Sequence, residues 1–335
     1  MTIKDIARLS GCGVATVSRV LNGHTDVSEK TRKKVMAVVK EQGFQPNNNA
    51  KHLKQQAGSS IAIVVKGTMN PLFADLVEKL QTLLQEAGET ASVYYRDEDA
   101  NEVAFARQLV RERHPRGLLF LGGNLELFRK GFGTITVPSV LLTNNAQSLG
   151  FANLSSFTTD DTMAAQRVMS LLAEHGHRRI GVLGGDWTNS QISLRRLEGC
   201  QAACQTLDIP LDVDSQWECC RYSMPDAYAA ARRLMERRED LTAIFAFSDV
   251  MALGAIRALR DIGKRVPEDI SVVGYDGLII GQYSLPRLTT VQQDTQRLAK
   301  RGVETLLRRM EGELPPVHEL VPFQLISGES VARVG

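Results

Sequence analysis

The stretch that decides the fold is Val14-Ala15-Thr16-Val17-Ser18-Arg19-Val20-Leu21-Asn22, close to the N-terminus. Its spacing predicts a short helix with two faces, because Val17, Val20 and Leu21 fall together on an apolar side. The other side carries small or polar residues and one guanidinium, namely Ala15, Ser18, Arg19 and Asn22. Such a helix packs inward on one face and offers hydrogen-bond donors on the other.

The residues before this helix predict another one, from Thr2 to Ser10. Thr2 is the expected N-cap, with Asp5 three residues on as its capping-box partner. The inward face consists of Ile3, Ile6 and Ala7. Residues 11–13, Gly-Cys-Gly, form a tight turn between the two helices. A helix, a short glycine-bearing turn and a second helix make up the DNA-binding helix-turn-helix, although an ordinary helical hairpin shows the same pattern.

The segment that follows decides between these alternatives. Asn22-Gly23 ends the second helix, and a third begins after Ser28, its expected N-cap. The third helix has a stripe of Val35, Val38 and Val39. Four stretches are then distinctive: "TIKDIARLSG" (2–11), "ATVSRVLNG" (15–23), "VSEKTRKKV" (27–35) and "GFQPNNNAKHLK" (43–54). Together they resemble the lactose/galactose/purine repressor (LacI/GalR) family of bacterial transcription regulators, and the second helix looks most like the galactose-repressor branch.

This resemblance implies which residues meet operator DNA. Arg19 is placed for a guanine edge, whereas Thr2, Ser18, Ser28 and Thr31 are placed for phosphates. Val14 and Ala15 can touch a thymine methyl but cannot form bidentate bonds, and Gly13 stands where the family usually has a serine N-cap. In the family, the leucine that matches Leu53 wedges into the minor groove and kinks the DNA. The predicted DNA-binding residues are Thr2, Val14, Ala15, Thr16, Ser18, Arg19, Asn22, Ser28, Thr31, Asn47, Ala50, Lys51 and Leu53.

Charge and composition agree with a nucleic-acid-binding head on a larger body. Residues 1–60 hold ten Lys/Arg and four Asp/Glu, whereas the whole 335-residue chain has a formal net charge of only +2. No apolar run approaches a membrane span, and the N-terminus is an amphipathic helix rather than a secretory signal. The cysteines are irregularly placed at Cys12, Cys200, Cys204, Cys219 and Cys220. This pattern favours a reducing cytoplasm, with neither a metal site nor a cofactor expected.

The remainder of the chain alternates apolar runs with amphipathic helices, which predicts two doubly wound α/β lobes. Four stretches there also resemble the family: "HGHRRIGVLGG" (175–185), "SDVMALGAIRAL" (248–259), "VPEDISVVGYD" (266–276) and "PRLTTV" (286–291). The resemblance implies an α/β periplasmic-binding-protein-like effector domain behind an all-α headpiece. We predict a headpiece at 1–46, a hinge helix and linker at 47–58, and an effector and dimerisation domain at 59–335. Lobe 1 is expected at about 59–160 and 290–325, and lobe 2 at about 161–288 and 326–335, with connections that cross between them near 157–161 and 288–293.

Ligands of open α/β sheets bind at the carboxyl ends of the strands, so candidate effector residues were sought there. By resemblance, Arg196 takes the place of the family's effector-binding arginine and Asp276 is the aspartate of its "GYD" motif. Phe73 and Tyr222 correspond to aromatic residues of the two lobes. Asp249 and Asn144 also have structural alternatives, as a helix cap and a turn residue respectively. The predicted set is Asn70, Leu72, Phe73, Asn144, Asp160, Gln191, Ser193, Arg196, Tyr222, Ser248, Asp249 and Asp276.

These observations predict a cytoplasmic, homodimeric repressor. Its two headpieces would bind a near-palindromic operator, and its cleft would bind a small metabolite, most simply a sugar or sugar derivative. A solute-binding receptor of a transporter has the same two-lobed architecture but would need a signal peptide and no basic head. An enzyme is a third reading, but "GVLGGD" lacks the Walker lysine and the full G-x-G-x-x-G spacing, and no nucleophile–base or HExxH motif is present.

Overall fold

The computed structural model describes residues 3–21, 27–41, 61–67, 70–312 and 314–334. The chain divides into two compact units, Met1–Gly58 and Ser59–Gly335. Predictions for Thr2, Asn22 and the hinge residues Asn47, Ala50, Lys51 and Leu53 lie outside the described residues. The same holds for the side chains of Val14, Ala15 and Ser18.

The first unit contains three helices in its described part: α1 Ile3–Ser10, α2 Val14–Leu21 and α3 Glu29–Glu41. Gly11 forms the turn between the first two with φ of +60°, a conformation that side chains disfavour. The small core is built from one face of each helix, as the spacing of apolar residues predicted. Its buried members are Ile6, Ala7, Val17, Val20 and Val35.

The first sheet of the second unit is parallel, with the strand order β11-β5-β4-β3-β1-β2. Its strands are β1 Ile61–Lys66, β2 Ala91–Arg96, β3 Gly117–Leu121, β4 Ser139–Leu142, β5 Leu154–Thr159 and β11 His318–Val321. Its helices are α4 Pro71–Glu86, α5 Glu102–Arg113 and α6 Leu125–Gly131, with 3-10 turns at Phe132–Thr134 and Gln147–Leu149. Continuous apolar runs such as β3 are buried along their whole length, as expected of strands covered by helices on both faces.

The second sheet has the same arrangement, with the order β12-β10-β9-β8-β6-β7. Its strands are β6 Ile180–Gly184, β7 Trp217–Cys219, β8 Ala243–Ala246, β9 Ser271–Asp276, β10 Thr289–Gln293 and β12 Phe323–Ile326. Its helices are α7 Asp161–Glu174, α8 Gln191–Thr206, α9 Val213–Gln216, α10 Met224–Arg237, α11 Asp249–Asp261 and α12 Ile279–Gln282. Strand β12 runs antiparallel to β10, whereas the other pairings recorded in this sheet are parallel.

The crossings between lobes differ from the predicted ones. Residues 154–159 and 289–293 form β5 and β10, so the chain changes lobe after these strands and not within them. The predicted boundary at 290 therefore falls inside lobe 2, and β12 joins lobe 2 rather than lobe 1. The sequences "LSSFTT" and "TTVQQ" are too polar to stand out as buried strands. After β10, helix α13 Thr295–Glu311 returns to lobe 1, where it packs against α4 and β4.

A buried carboxylate joins three elements of lobe 2. Asp249, the first residue of α11, is fully buried and accepts hydrogen bonds from the Leu278 backbone N–H (2.6 Å) and from Thr290 Oγ1. Gly274 of β9 leaves room for it, because a Cβ there would lie 2.2 Å from Asp249 Oδ1. Burial, together with the charge of Asp276, raises the pKa of Asp249 from its ordinary 3.8 to about 8.

This pKa predicts a stability that falls with rising pH. The unfolded chain releases the Asp249 proton near pH 4 whereas the folded chain keeps it to about pH 8, so folding binds a proton between these values. The free energy of unfolding should then fall by up to about 1.4 kcal/mol per pH unit across this window. Asp249→Asn mimics the protonated group, so it should remove this slope and be more stable than wild type at pH 8. Urea unfolding at pH 5 and pH 8 measures both effects, and equal slopes in the two proteins would contradict the prediction.

Candidate functional site

A cavity of about 790 Å³ lies between the carboxyl ends of the two sheets. Its walls come from both lobes, because parallel strands of the two sheets deliver their following loops to the same cleft. Seven of the predicted effector residues line it: Asn70, Leu72, Phe73, Asn144, Arg196, Tyr222 and Asp276.

Arg196 is the most completely held side chain of this cavity. Its Nε donates to Asp161 Oδ1 at 2.8 Å, its Nη1 donates to the Phe247 carbonyl, and its guanidinium carbon lies 3.5 Å from the Tyr275 ring centroid. Burial alone would lower the pKa of Arg196, but Asp161 and the other neighbours raise it above its ordinary value. Gly199, one turn further along α8, lets this helix approach α7, since a Cβ there would lie 2.3 Å from the Thr162 carbonyl oxygen.

Asp276 faces the cavity from the end of β9 and is fixed from both sides. Ser248 Oγ donates to its Oδ2 and Gln293 Nε2 to its Oδ1, each at 2.8 Å. Gln293 in turn accepts from Thr159 Oγ1 of lobe 1 at 2.8 Å, so the network spans the two lobes. Burial raises the pKa of Asp276 to about 6, against the opposing effect of Arg196. The carboxylate is therefore held in one orientation, with its ionisation close to neutral pH.

Two aromatic side chains line the cavity from opposite lobes. Phe73 lies in the first turn of α4, which begins where Asn70 accepts a hydrogen bond from the Leu72 backbone N–H at 3.0 Å. Tyr222 follows β7, and its hydroxyl is 3.0 Å from Ser193 Oγ. Two ring faces of this kind can pack against the apolar faces of a planar or ring-shaped ligand.

The strongest polar features that the sequence did not single out lie directly after β4. Thr143 lines the cavity with φ of +71°, a rare conformation for a β-branched residue, and Asn144 follows it. Both residues are buried, and both Thr143 Oγ1 and Asn144 Oδ1 have no hydrogen-bond partner within the described structure. The amide of Asn144 is oriented by its Nδ2, which donates to the Gly123 carbonyl at 2.7 Å. Neither the backbone strain nor the missing partners leave a signal in the local sequence.

The cavity is bordered by many carboxylates. Those not predicted are Asp97, Glu98, Asp99, Asp186 and Asp226, from loops of both lobes. Arg221 of lobe 2 donates to Asp99 of lobe 1, so an ion pair closes part of the cleft. Lys66, at the end of β1, is 2.7 Å from the buried carboxylate of Glu102. Sequence reasoning missed this border because the residues lie on four separate loops.

Five predicted residues do not line this cavity. Ser193 supports Tyr222, Ser248 supports Asp276, and Asp249 bonds within lobe 2 as described above. Asp160 and Gln191 line a second cavity of about 440 Å³ at the lobe crossing. The structure therefore assigns supporting positions to the first three and a separate cleft to the other two.

In the first unit, the described candidates for DNA contact are Thr16, Arg19, Ser28 and Thr31. Arg19 is exposed and Thr16 is half-buried on α2, whose Val17 and Val20 face the core. Ser28 Oγ accepts from the Thr31 backbone N–H at 3.3 Å and lies 2.8 Å from Thr31 Oγ1, so it caps α3 as predicted. Within the described parts of the chain, no group of His, Cys, Asp or Glu is suited to a metal ion, and no helix has the length and apolarity needed to cross a bilayer.

Comparison with known proteins matches both units. The model of bacterial regulatory proteins of the lacI family matches residues 2–47, and a periplasmic binding protein-like domain matches residues 169–331. The HTH-type transcriptional regulator MalR of Clostridium butyricum is 36% identical over 337 residues and covers 100% of both chains. A transcriptional regulator CelR–cellobiose complex has a TM-score of 0.73 at 29% identity, covering 98% of this chain and 99% of that one. The lac repressor dimer bound to operator and the anti-inducer ONPF shares the fold, with a TM-score of 0.78 at 24% identity and 99% coverage of each chain.

Full-length identity of this level, with a helix-turn-helix unit and a two-lobed cleft, assigns the chain to one class of protein. It is a DNA-binding transcription regulator with an effector domain, and it belongs to the LacI family of bacterial regulatory proteins.

Proposed function

We propose that the chain is a homodimeric repressor whose binding to a near-palindromic operator is controlled by a carbohydrate-type effector in the interlobe cavity. The observation that carries the effector class is the cavity itself, where Arg196 and Asp276 are held rigidly between the aromatic rings of Phe73 and Tyr222. Rings pack on the faces of a sugar, while fixed charged groups bond to adjacent hydroxyls. The similarity to a regulator described in complex with cellobiose supports this class.

The proposed control depends on relative motion of the two lobes. Asp276, Gln293 and Thr159 connect a cavity side chain to both sheets, and Arg221 bonds to Asp99 across the cleft. An effector that alters the angle between the lobes would change how the two hinge segments of a dimer approach each other. This supplies distinct states that operator and effector can bind with different affinities, as an allosteric mechanism requires.

An apolar patch on lobe 2 supports the homodimer. Its members are the exposed side chains Ile279, Ile280, Tyr283 and Leu285, of which Tyr283 is 83% and Leu285 87% exposed. Contiguous exposed apolar residues of this size commonly mark an interface. A second copy of the chain is the proposed occupant, since two headpieces must be held together to bind two half-sites.

Binding and not turnover is the proposed chemistry, and the site of action is the cytoplasm, where the operator DNA lies. A transporter's solute-binding receptor would share the two lobes, but the helix-turn-helix match over residues 2–47 opposes that alternative. An enzyme would consume the effector, which a turnover assay with the bound sugar detects.

Asp276→Asn should weaken the effector by about 1–3 kcal/mol, because it replaces a charged acceptor in the cavity. Operator binding in the absence of effector should be unchanged. Calorimetry measures the first effect and fluorescence anisotropy with labelled operator measures the second. Glu239→Gln, an exposed change in the same lobe, is the matched control. Retained affinity in Asp276→Asn would place the effector elsewhere.

Arg19→Ala should cost about 1–3 kcal/mol of specific DNA binding and flatten the preference at one base pair in each half-site. The reason is its exposed position on α2, next to a buried Val20. Arg8→Ala on α1 removes the same charge from the same unit and should weaken all sequences alike. Titrations against single-base operator variants separate the two outcomes. An unchanged base preference in Arg19→Ala would remove this residue from base recognition.

Leu285→Asp should convert the dimer to a monomer, because it places a charge in the centre of the apolar patch. Sedimentation velocity measures the mass, and Met163→Asp, at an exposed position outside the patch, should leave it unchanged. A Leu285→Asp protein that remains dimeric would show that another surface forms the dimer.

A further inference from the structure

The cations of the cavity are all committed to carboxylates. Among the described residues, the Lys and Arg side chains that line it are Lys66, Arg196 and Arg221. Lys66 lies 2.7 Å from Glu102, Arg196 lies 2.8 Å from Asp161, and Arg221 is paired with Asp99. An anionic ligand would have to compete with these partners, two of which are buried carboxylates that would then lose their counter-charge.

The lining carboxylates outnumber the lining cations. Asp97, Glu98, Asp99, Asp186 and Asp226 border the cavity, and Asp276 lies within it. A phosphate or carboxylate entering here meets a negative potential from both lobes, at distances where like charges repel strongly. The cavity therefore selects against sugar phosphates, sugar acids and other anions.

The hydrogen-bonding groups point to a donor-rich ligand. Thr143 Oγ1 and Asn144 Oδ1 are buried, line the cavity and lack protein partners, and the carboxylates are acceptors when ionised. Asn144 Oδ1 can only accept, because its amide nitrogen is already bonded to Gly123. Buried polar atoms without partners cost free energy until a ligand satisfies them. Hydroxyl groups supply such donors, whereas purine rings supply few.

The volume indicates more than one ring. A pyranose has roughly the volume of six water molecules, or about 180 Å³ at about 30 Å³ per water. The cavity of about 790 Å³ exceeds this several-fold. A single monosaccharide would leave much of the polar border, and one of the two aromatic residues, without contact.

From charge balance, unpartnered acceptors and volume together, we infer that the effector is an uncharged oligosaccharide of two or three rings, bound in part through Thr143 and Asn144. This inference rests on the proposed carbohydrate-controlled function and narrows its ligand class. It places the first ring between Arg196 and Asp276 and further rings towards the acidic border at Asp97 and Glu98.

The test is calorimetry on the full-length protein with a defined set of probes. Neutral probes are maltose, cellobiose, lactose, sucrose, trehalose and maltotriose, and charged or smaller probes are glucose, glucose 6-phosphate and trehalose 6-phosphate. At least one neutral oligosaccharide should bind at least tenfold more tightly than every monosaccharide and phosphorylated probe. A phosphorylated sugar or glucose as the tightest ligand, or no response to any neutral oligosaccharide, overturns the inference.

Variants then test the assigned groups. Thr143→Val keeps the β-branched shape and removes the hydroxyl, so it should reduce oligosaccharide affinity at least severalfold while the melting temperature stays within a few degrees. Asp97→Asn/Glu98→Gln should reduce the discrimination against the phosphorylated probe about tenfold, whereas Glu236→Gln/Glu239→Gln, with the same change of charge at exposed positions outside the cavity, should leave it unchanged. Unchanged affinity and discrimination in both cavity variants contradict the assignment.

A parallel operator titration separates the two levels of the argument. An operator complex that responds to a sugar phosphate and not to a neutral oligosaccharide leaves the repressor function standing and overturns the ligand class. Failure to bind any DNA sequence specifically overturns the repressor, while the calorimetric ranking of probes still decides the inference about the cavity.

Discussion

The buried ion pair between Arg196 and Asp161 is the interaction on which the effector cavity depends. Two charges removed from water are costly unless hydrogen bonds satisfy both. Here Arg196 also bonds to the Phe247 carbonyl and lies against the Tyr275 ring, while the Tyr275 hydroxyl donates to Asp161 at 2.8 Å. The pair therefore ties α7, α8, β9 and the end of β8 together at the lobe crossing. A neutral pair of similar shape would fill the space, but it would not present a charged group of fixed orientation to the cleft.

Conformational strain is concentrated at the same place. Among the described non-glycine residues with positive φ, Thr143 at +71° and Asp276 at +114° both line the cavity. Such conformations cost on the order of 1–3 kcal/mol each and persist where surrounding structure fixes them. One lies on each lobe, and each delivers a polar group to the space between the sheets. The strain is thus a cost of placing ligand-binding groups, and a ligand that satisfies Thr143 and Asn144 recovers part of it.

Periodicity in the sequence predicted most of the fold, because long-range order in a doubly wound domain is written into local runs. The apolar stretch at β3 and the helices α5 and α6 agree with their predicted bounds, since each is delimited by residues that cap or break an element. Strands β5, β10, β11 and β12 were not recognised, because their sequences are short and polar and their pairing is determined by distant neighbours. The lobe boundary was displaced for the same reason.

The site was accessible to sequence reasoning only where resemblance or strand ends marked a residue. Arg196 and Asp276 were found in this way and line the cavity, whereas Asp249 shares a motif with cavity residues but faces the interior of lobe 2. The acidic border could not be anticipated, since Asp97 and Asp186 become neighbours of one cavity only through the folding of two lobes. Charge balance is a property of the assembled cleft: Lys66, Arg196 and Arg221 suggest an anion site by composition, yet each already has a carboxylate partner in the fold. Ligand selection in this chain therefore depends on which charges the protein itself neutralises, and the hydroxyl-rich ligand is the one that leaves these internal pairs intact.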